Sequence, residues 1–134
     1  MADKSVQESN KEVVRNFIET LLNGRDPEKA SELMGNRYIQ HVHGVADGRE
    51  AFLKDIHEGF LDNFPNAKLE VKRLIAEDDL VVCQSHIVLN ATDPNDRGLN
   101  SFDMFRVENG GIVEHWVAAS PIPDTDPVNS NTPF

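Results

Sequence analysis

Cysteine is almost absent from this sequence of 134 residues, in which Cys83 stands alone. An internal disulfide is therefore excluded, and the fold has to be stabilised by a hydrophobic core. No apolar run approaches the roughly 18 residues that a membrane-spanning helix needs. The first ten residues are polar and lack the apolar segment of a secretory signal. From these absences we expect a cytoplasmic location.

Basic residues are also scarce, because 13 lysines and arginines stand against 23 aspartates and glutamates and the net charge is −10. A chain of this sign is repelled by phosphate backbones and by anionic lipid surfaces. We therefore expect neither a nucleic acid nor a membrane as a partner. The hydrophobic share of 39% is ordinary for a globular protein, so the function has to be inferred from particular residues.

Helical periodicity characterises much of the first half of the chain. Residues 1–10 are polar and are predicted to be a solvated lead-in to the first helix. A short second helix is predicted to begin at Asp26 and Pro27, which suit an N-cap and a first turn. A third helix is predicted to begin at an Asp47 cap. The apolar positions of the first and third helices are Val13, Val14, Phe17, Ile18, Leu21, Leu22, Phe52, Ile56, Phe60 and Phe64.

Strand patterns follow from residue 68 onward. The predicted strands cover residues 68–75, 80–91, 101–107 and 112–119. Segment 37–45 holds β-formers without a helical period and is predicted to be a short strand or an extended loop. The tail, residues 121–134, contains several prolines and is predicted to be irregular. Together these elements predict one α+β domain over residues 1–134, with three N-terminal helices over a curved antiparallel sheet that encloses one pocket.

Asp103 is the most informative single residue, because a carboxylate in the middle of a strand is costly unless it has a partner. If Glu108-Asn109-Gly110 forms a three-residue loop, Asp103 lies opposite His115. If Asn109-Gly110 forms a two-residue loop, the register slips by one and Asp103 lies opposite Trp116. We favour the first register, since it also brings Arg106 near Glu114 on the other face. Both registers stay open at this point.

The protonation state of Asp103 depends on two opposing effects. Loss of hydration favours the neutral acid, whereas a charged imidazole opposite favours the carboxylate. No lysine or arginine lies between Phe102 and Phe105 or between Ile112 and Ala119. We therefore expect the neutral acid, and we expect it to belong to an active site, where such couples concentrate.

The stretch from Phe102 to Trp116 resembles the terminal hairpin of the SnoaL-like branch of the nuclear transport factor 2-like superfamily. The resemblance continues through residues 37–41, 47–52 and 75–82, so it covers nearly the whole chain. The superfamily includes ketosteroid isomerase and scytalone dehydratase. The resemblance implies a cone-shaped α+β barrel. It does not imply one reaction, because the fold hosts cyclases, isomerases, dehydratases, epoxide hydrolases and binding proteins.

The resemblance also implies candidate catalytic residues. Asp103 matches the acid/base carboxyl of SnoaL-like cyclases, and His41 lies about where ketosteroid isomerase has its general base. His86 and His115 resemble the paired histidines of a dehydratase. The isomerase takes an oxyanion-binding tyrosine from the first helix, where this chain has Phe17, which argues against steroid isomerase chemistry. The expected substrate-binding residues are Phe17, Tyr38, Phe52, Phe105, Val113 and Val117.

A metal site is the alternative use of the histidines. His41 and His43 have the spacing of two ligands on one strand face, and Glu50, His86 or His115 could complete the site. A cupin would use such a pair, but cupins are all-β and place the glutamate three or four residues after the second histidine. We therefore expect no metal and no cofactor.

Two functions are compatible with these residues. In the first, His41 or His86 removes a proton next to the carbonyl of a small compound and Asp103 donates to the enolate oxygen. The product then forms by aldol cyclisation, isomerisation or dehydration. In the second, the protein binds a small apolar molecule without turning it over. In either case Phe102, Met104 and Trp116 are expected on the outer sheet face, and this apolar patch predicts a homodimer.

Overall fold

The computed structural model describes residues 4–134. Its first helix, α1 (Lys4–Leu22), buries one apolar face, and Asn23 ties the end of this helix to the sheet through two 2.8 Å bonds with the backbone of Leu69. The expected lead-in was wrong for residues 4–10, which are helical, and residues 1–3 lie outside the described residues. No helix within residues 4–134 is long and apolar enough to cross a bilayer.

Two further helical elements complete the layer over the sheet. Helix α2 (Pro27–Ser31) begins as predicted, with the Asp26 carboxylate accepting from the amide of Lys29. Helix α3 (Arg49–Lys54) is capped by Gly48 and not by Asp47. The Asp47 carboxylate instead accepts from the backbone amide of Gln40 at 2.8 Å, while Gly48 has a φ of 100° that suits glycine. A π-helical segment (Asp55–Leu61) continues α3.

The sheet has five strands in the order β1-β5-β4-β3-β2. The strands are β1 (Met34–Gln40), β2 (Lys68–Glu77), β3 (Leu80–Val88), β4 (Leu99–Glu108) and β5 (Gly111–Pro121). The α+β cone is confirmed, with two differences. Strand β1 lies between α2 and α3, so only two helices precede the sheet, and β1 pairs with β5 in parallel.

The β4–β5 hairpin differs from both expected registers. Its turn is Asn109-Gly110, with φ values of 51° and 77°, and Glu108 pairs with Gly111. The register then shifts between Arg106 and Val107, which leaves Val113 as an extra residue in β5. Because of this bulge, Asp103 lies opposite Val117 and His115 lies opposite Phe105. A shift of two residues from the favoured register keeps each side chain on its face, so Asp103 is diagonal to His115.

The tail from Ile122 onward has no helix or strand. Its end lies on the outer face of the sheet, where Asn100 donates to the carbonyl of Pro133 at 3.2 Å. Arg97 donates from Nη1 to the carbonyls of Pro123 and Thr125, at 3.1 and 3.0 Å. Near its end, the ring of Phe134 packs against His86 with 4.7 Å between ring centres. The inner face is left to α1, α3 and the π-helical segment, and the cavity lies between these helices and the sheet.

Candidate active site

A cavity of about 320 Å³ lies between the helices and the inner face of the sheet. Most side chains of its wall are apolar. The polar wall residues are Tyr38, Gln40, Asp55, Ser101, Asp103 and His115. Among the expected substrate-binding residues, Phe17, Tyr38, Phe52, Phe105 and Val117 belong to the wall. The cavity therefore suits a small, mostly apolar ligand with one polar end.

Asp103 and His115 are hydrogen-bonded on the sheet side of the cavity. Nε2 of His115 lies 2.8 Å from Oδ1 of Asp103, and the two side chains are only 13% and 17% exposed. Ser101 donates from its hydroxyl to the other carboxyl oxygen at 3.0 Å. The imidazole lies parallel to the ring of Phe105, with 4.7 Å between ring centres. Both members of the pair are therefore fixed in position and largely shielded from water.

Gln40 determines which nitrogen of His115 carries a proton. Its side-chain oxygen accepts from the backbone amide of Val42 at 3.1 Å, which identifies that atom as the oxygen. The same oxygen lies 3.1 Å from Nδ1 of His115. An amide oxygen can only accept, so Nδ1 must carry a proton. Sequence reasoning assigned no role to Gln40, although strand alternation from Tyr38 would have placed it on the inner face.

One proton is then shared between Nε2 of His115 and Oδ1 of Asp103. The pair is either an imidazolium with a carboxylate or a neutral imidazole with a carboxylic acid, and its net charge is zero in both forms. The neutral form of Asp103 stays a prediction. Uptake of one more proton leads from either form to the same state, a carboxylic acid beside an imidazolium.

Tyr38 supplies a hydroxyl to the same cavity. Its side chain is 3% exposed, and its oxygen accepts from Nε2 of Gln40 at 3.4 Å. Burial raises the pKa of Tyr38 well above its usual value. The phenol therefore keeps its proton at neutral pH and can donate it to a ligand oxygen.

His41 lies outside the cavity, on the other face of the sheet. Its Nε2 donates to Glu114 at 2.8 Å, and its ring stacks on Trp116 with 4.6 Å between centres. That bond and the guanidinium of Arg106 hold the pKa of Glu114 below its usual value. Successive strand residues face opposite sides, so Gln40 points inward and His41 points outward. The structure therefore contradicts the role of His41 as the base.

His86 and Val113 are also absent from the cavity wall. Nε2 of His86 donates to the carbonyl of Arg97 at 2.7 Å, on the face that the tail covers. Val113 is the bulged residue, and it packs against Gly35, where a Cβ atom would lie only 2.6 Å from its Cγ1. The expectation that these two residues act on a substrate was wrong for the same reason, which is the face that each side chain occupies.

The metal alternative finds no support among residues 4–134, where no three histidine, cysteine, aspartate or glutamate side chains lie close enough to hold an ion. His41 is bonded to Glu114, and His43 is exposed in the loop after β1.

The helical layer, the curved sheet and the cavity between them define a cone fold of the nuclear transport factor 2-like class. Residues 12–120 match the model of the SnoaL-like polyketide cyclase family, and the chain belongs to that family. No protein of curated function matches the chain.

Solved structures share this fold at low sequence identity. A candidate ketosteroid isomerase from Kribbella flavida is 19% identical with a TM-score of 0.73, over 96% of this chain and 93% of the other. A candidate SnoaL-like polyketide cyclase from Jannaschia is 21% identical with a TM-score of 0.69, over 89% and 90%. IdmH, a candidate polyketide cyclase from Streptomyces antibioticus, is 22% identical with a TM-score of 0.65, over 82% and 91%. These likenesses establish the fold alone.

The role of Gln40 can be tested without a substrate. Gln40→Met removes the acceptor for Nδ1 of His115, so we expect the ¹⁵N signals of this ring to change from those of a protonated Nδ1 to a tautomer mixture. The matched control is Gln84→Met, since the Gln84 side chain is buried and bonds Arg73 and Asn100 away from the cavity. Unchanged ring signals in Gln40→Met would show that another group fixes the tautomer.

Proposed function

We propose that this protein is a SnoaL-like enzyme that performs acid/base chemistry on a small carbonyl compound through an enolate, without a cofactor. The reaction is an aldol cyclisation, an isomerisation or a dehydration. The observation that carries the proposal is the bond between His115 and Asp103, which places a proton-sharing pair inside an apolar cavity. The phenol of Tyr38 in the same wall adds a hydrogen-bond donor.

In the proposed reaction, the carbonyl oxygen of the substrate accepts a hydrogen bond from Tyr38. The pair of Asp103 and His115 takes the proton from the carbon next to the carbonyl, and the electrons of the C–H bond move to the carbonyl oxygen. The pair changes from neutral to positive as the substrate becomes negative, so each charge is stabilised by the other. The proton then returns to the product.

The assignment of the base differs from the sequence-based one. His41 and His86 are bonded elsewhere, and His115 is the histidine that shares the cavity with Asp103. Asp103 retains the acid role that the sequence predicted for it. In the protonated state of the pair it is a carboxylic acid, and it can donate to the enolate or to a leaving hydroxyl.

Substitution of Asp103 tests whether the protein is an enzyme or a binding protein. We expect Asp103→Asn to keep the fold, to bind 2-acetylnaphthalene within about tenfold of the unchanged protein, and to abolish catalysed exchange of its methyl protons with D₂O. The exchange is followed by ¹H NMR. Asp62→Asn, an exposed site away from the cavity wall, is the control and keeps full exchange. If the unchanged protein binds this ketone but exchanges no faster than Asp103→Asn, the protein is a binding protein.

Replacement of Tyr38 tests the oxyanion donor. Tyr38→Phe keeps the ring and removes the hydroxyl, so we expect the exchange rate at saturation to fall about 100-fold. The Kd for the ketone changes little, because the hydrogen bond to a neutral carbonyl is weaker than the bond to an enolate. An equal loss in affinity and in rate would assign Tyr38 to binding only.

We also propose that two copies associate through the outer sheet face. Phe102 is 46% exposed there, beside Met104 and Trp116. We expect a dimer in sedimentation velocity and a monomer for Phe102→Lys. The control Glu32→Lys, exposed at the end of α2 in the helical layer, leaves the dimer intact. A monomer for the unchanged chain would contradict this proposal.

A further inference from the structure

Asp55 is a second carboxylate in the cavity wall, and the proposed reaction does not use it. It is the first residue of the π-helical segment, and its side chain is exposed at the mouth of the cavity. The carboxylate lies over Gly59, where a Cβ atom would come within 3.1 Å of Oδ1. Asp55 thus borders the route between solvent and the Asp103–His115 pair.

Four residues of the π-helical segment line the cavity, namely Asp55, Ile56, Gly59 and Phe60. Glu58 lies in the same segment, three positions after Asp55, and does not line this cavity. Asp55 and Glu58 both border a separate groove. The two acidic residues therefore form a matched pair, of which only Asp55 also borders the cavity.

The charges in the wall sum to a negative value. The pair of Asp103 and His115 is neutral overall, Asp55 contributes one negative charge, and no wall residue is a lysine or an arginine. The molecule as a whole carries −10. The negative charge of Asp55 contributes, after burial, to the raised pKa of Tyr38, whose hydroxyl lies in the same wall.

The net negative charge of the wall disfavours the binding of an anion but not the proposed reaction. Proton transfer from the substrate to the pair moves charge within the cavity and leaves the total unchanged. An anionic ligand adds a negative charge that no residue of the wall compensates. A neutral ligand meets no such cost.

We propose that Asp55 is a specificity-determining residue that restricts the cavity to uncharged compounds and rejects carboxylates and phosphates. The proposal specifies the substrate class for the function proposed above. It rests on that function in one respect, which is that this cavity is the substrate site. A carbonyl compound enters as a ketone, an aldehyde or an ester, with any acid group masked.

Two probes with the same ring system test the proposal. 2-Acetylnaphthalene is neutral and 2-naphthoate is anionic, and their Kd values are measured by equilibrium dialysis at low and at high salt. We expect the unchanged protein to prefer the ketone. Asp55→Lys reduces that preference at least tenfold and Asp55→Asn reduces it about threefold. The effect shrinks at 1 M salt, because the mouth is open to screening ions.

Glu58→Lys is the matched control, since it makes the same change in net charge from outside the wall. If the position of Asp55 in the cavity wall causes the selectivity, Glu58→Lys leaves the preference for the ketone over the carboxylate unchanged. An equal effect of Glu58→Lys and Asp55→Lys would assign the selectivity to overall charge and overturn the proposal. Equal affinity of the unchanged protein for both probes would do the same.

The binding and exchange measurements together distinguish a failure of this proposal from a failure of the proposed function. The binding preference does not require turnover, so it is also measured in Asp103→Asn, where we expect it to persist. No catalysed exchange by the unchanged protein, with a preserved preference for the ketone, contradicts the enzyme and supports the role of Asp55 in selectivity. Catalysed exchange by the unchanged protein, with equal binding of both probes, contradicts that role of Asp55 and supports the enzyme. If the ketone does not bind, both proposals are overturned.

Discussion

The hydrogen bond between His115 and Asp103 is the interaction on which the arrangement of the cavity depends. Buried ionisable groups are stable only when each polar atom has a partner. Ser101 satisfies the second carboxyl oxygen, and Gln40 satisfies the second ring nitrogen. These partners come from β4 and from β1, the strand that pairs with β5 in parallel. The bond thus requires three neighbouring strands to keep their register.

The two faces of the sheet divide the ionisable side chains by role. The inner face holds the proton-sharing pair and the phenol in an apolar wall. The outer face holds a chain of ion pairs from Asp79 through Arg106 and Glu114 to His41. The outer groups are partly solvated and are paired with one another, so they stabilise the strands from outside the cavity. Strand alternation keeps the two sets apart.

The sequence was sufficient to predict the α+β class and the inner-face position of Asp103 and His115. Helical and strand periods are local, and the faces follow from alternation along β4 and β5. The bulge at Val113 was not predictable, because an extra residue in a strand leaves the pattern of the flanking residues almost intact. It changed the partner of Asp103 to Val117 and moved Val113 out of the wall, but it left the contact between the pair possible along the diagonal.

Local patterns determined the elements of this protein, and tertiary pairing decided which side chains share the site. Gln40 and His115 are far apart in the chain and meet only because β1 lies beside β5. Asp55 borders the cavity because the segment that continues α3 packs over the inner face of the sheet. Neither the strand partner nor the packing of this segment is encoded in the spacing of apolar residues. Both are set by how the helices fit the curved sheet, which is why the sequence alone indicated His41 and His86, whereas the structure places Gln40 and Asp55 beside the predicted Tyr38, Asp103 and His115.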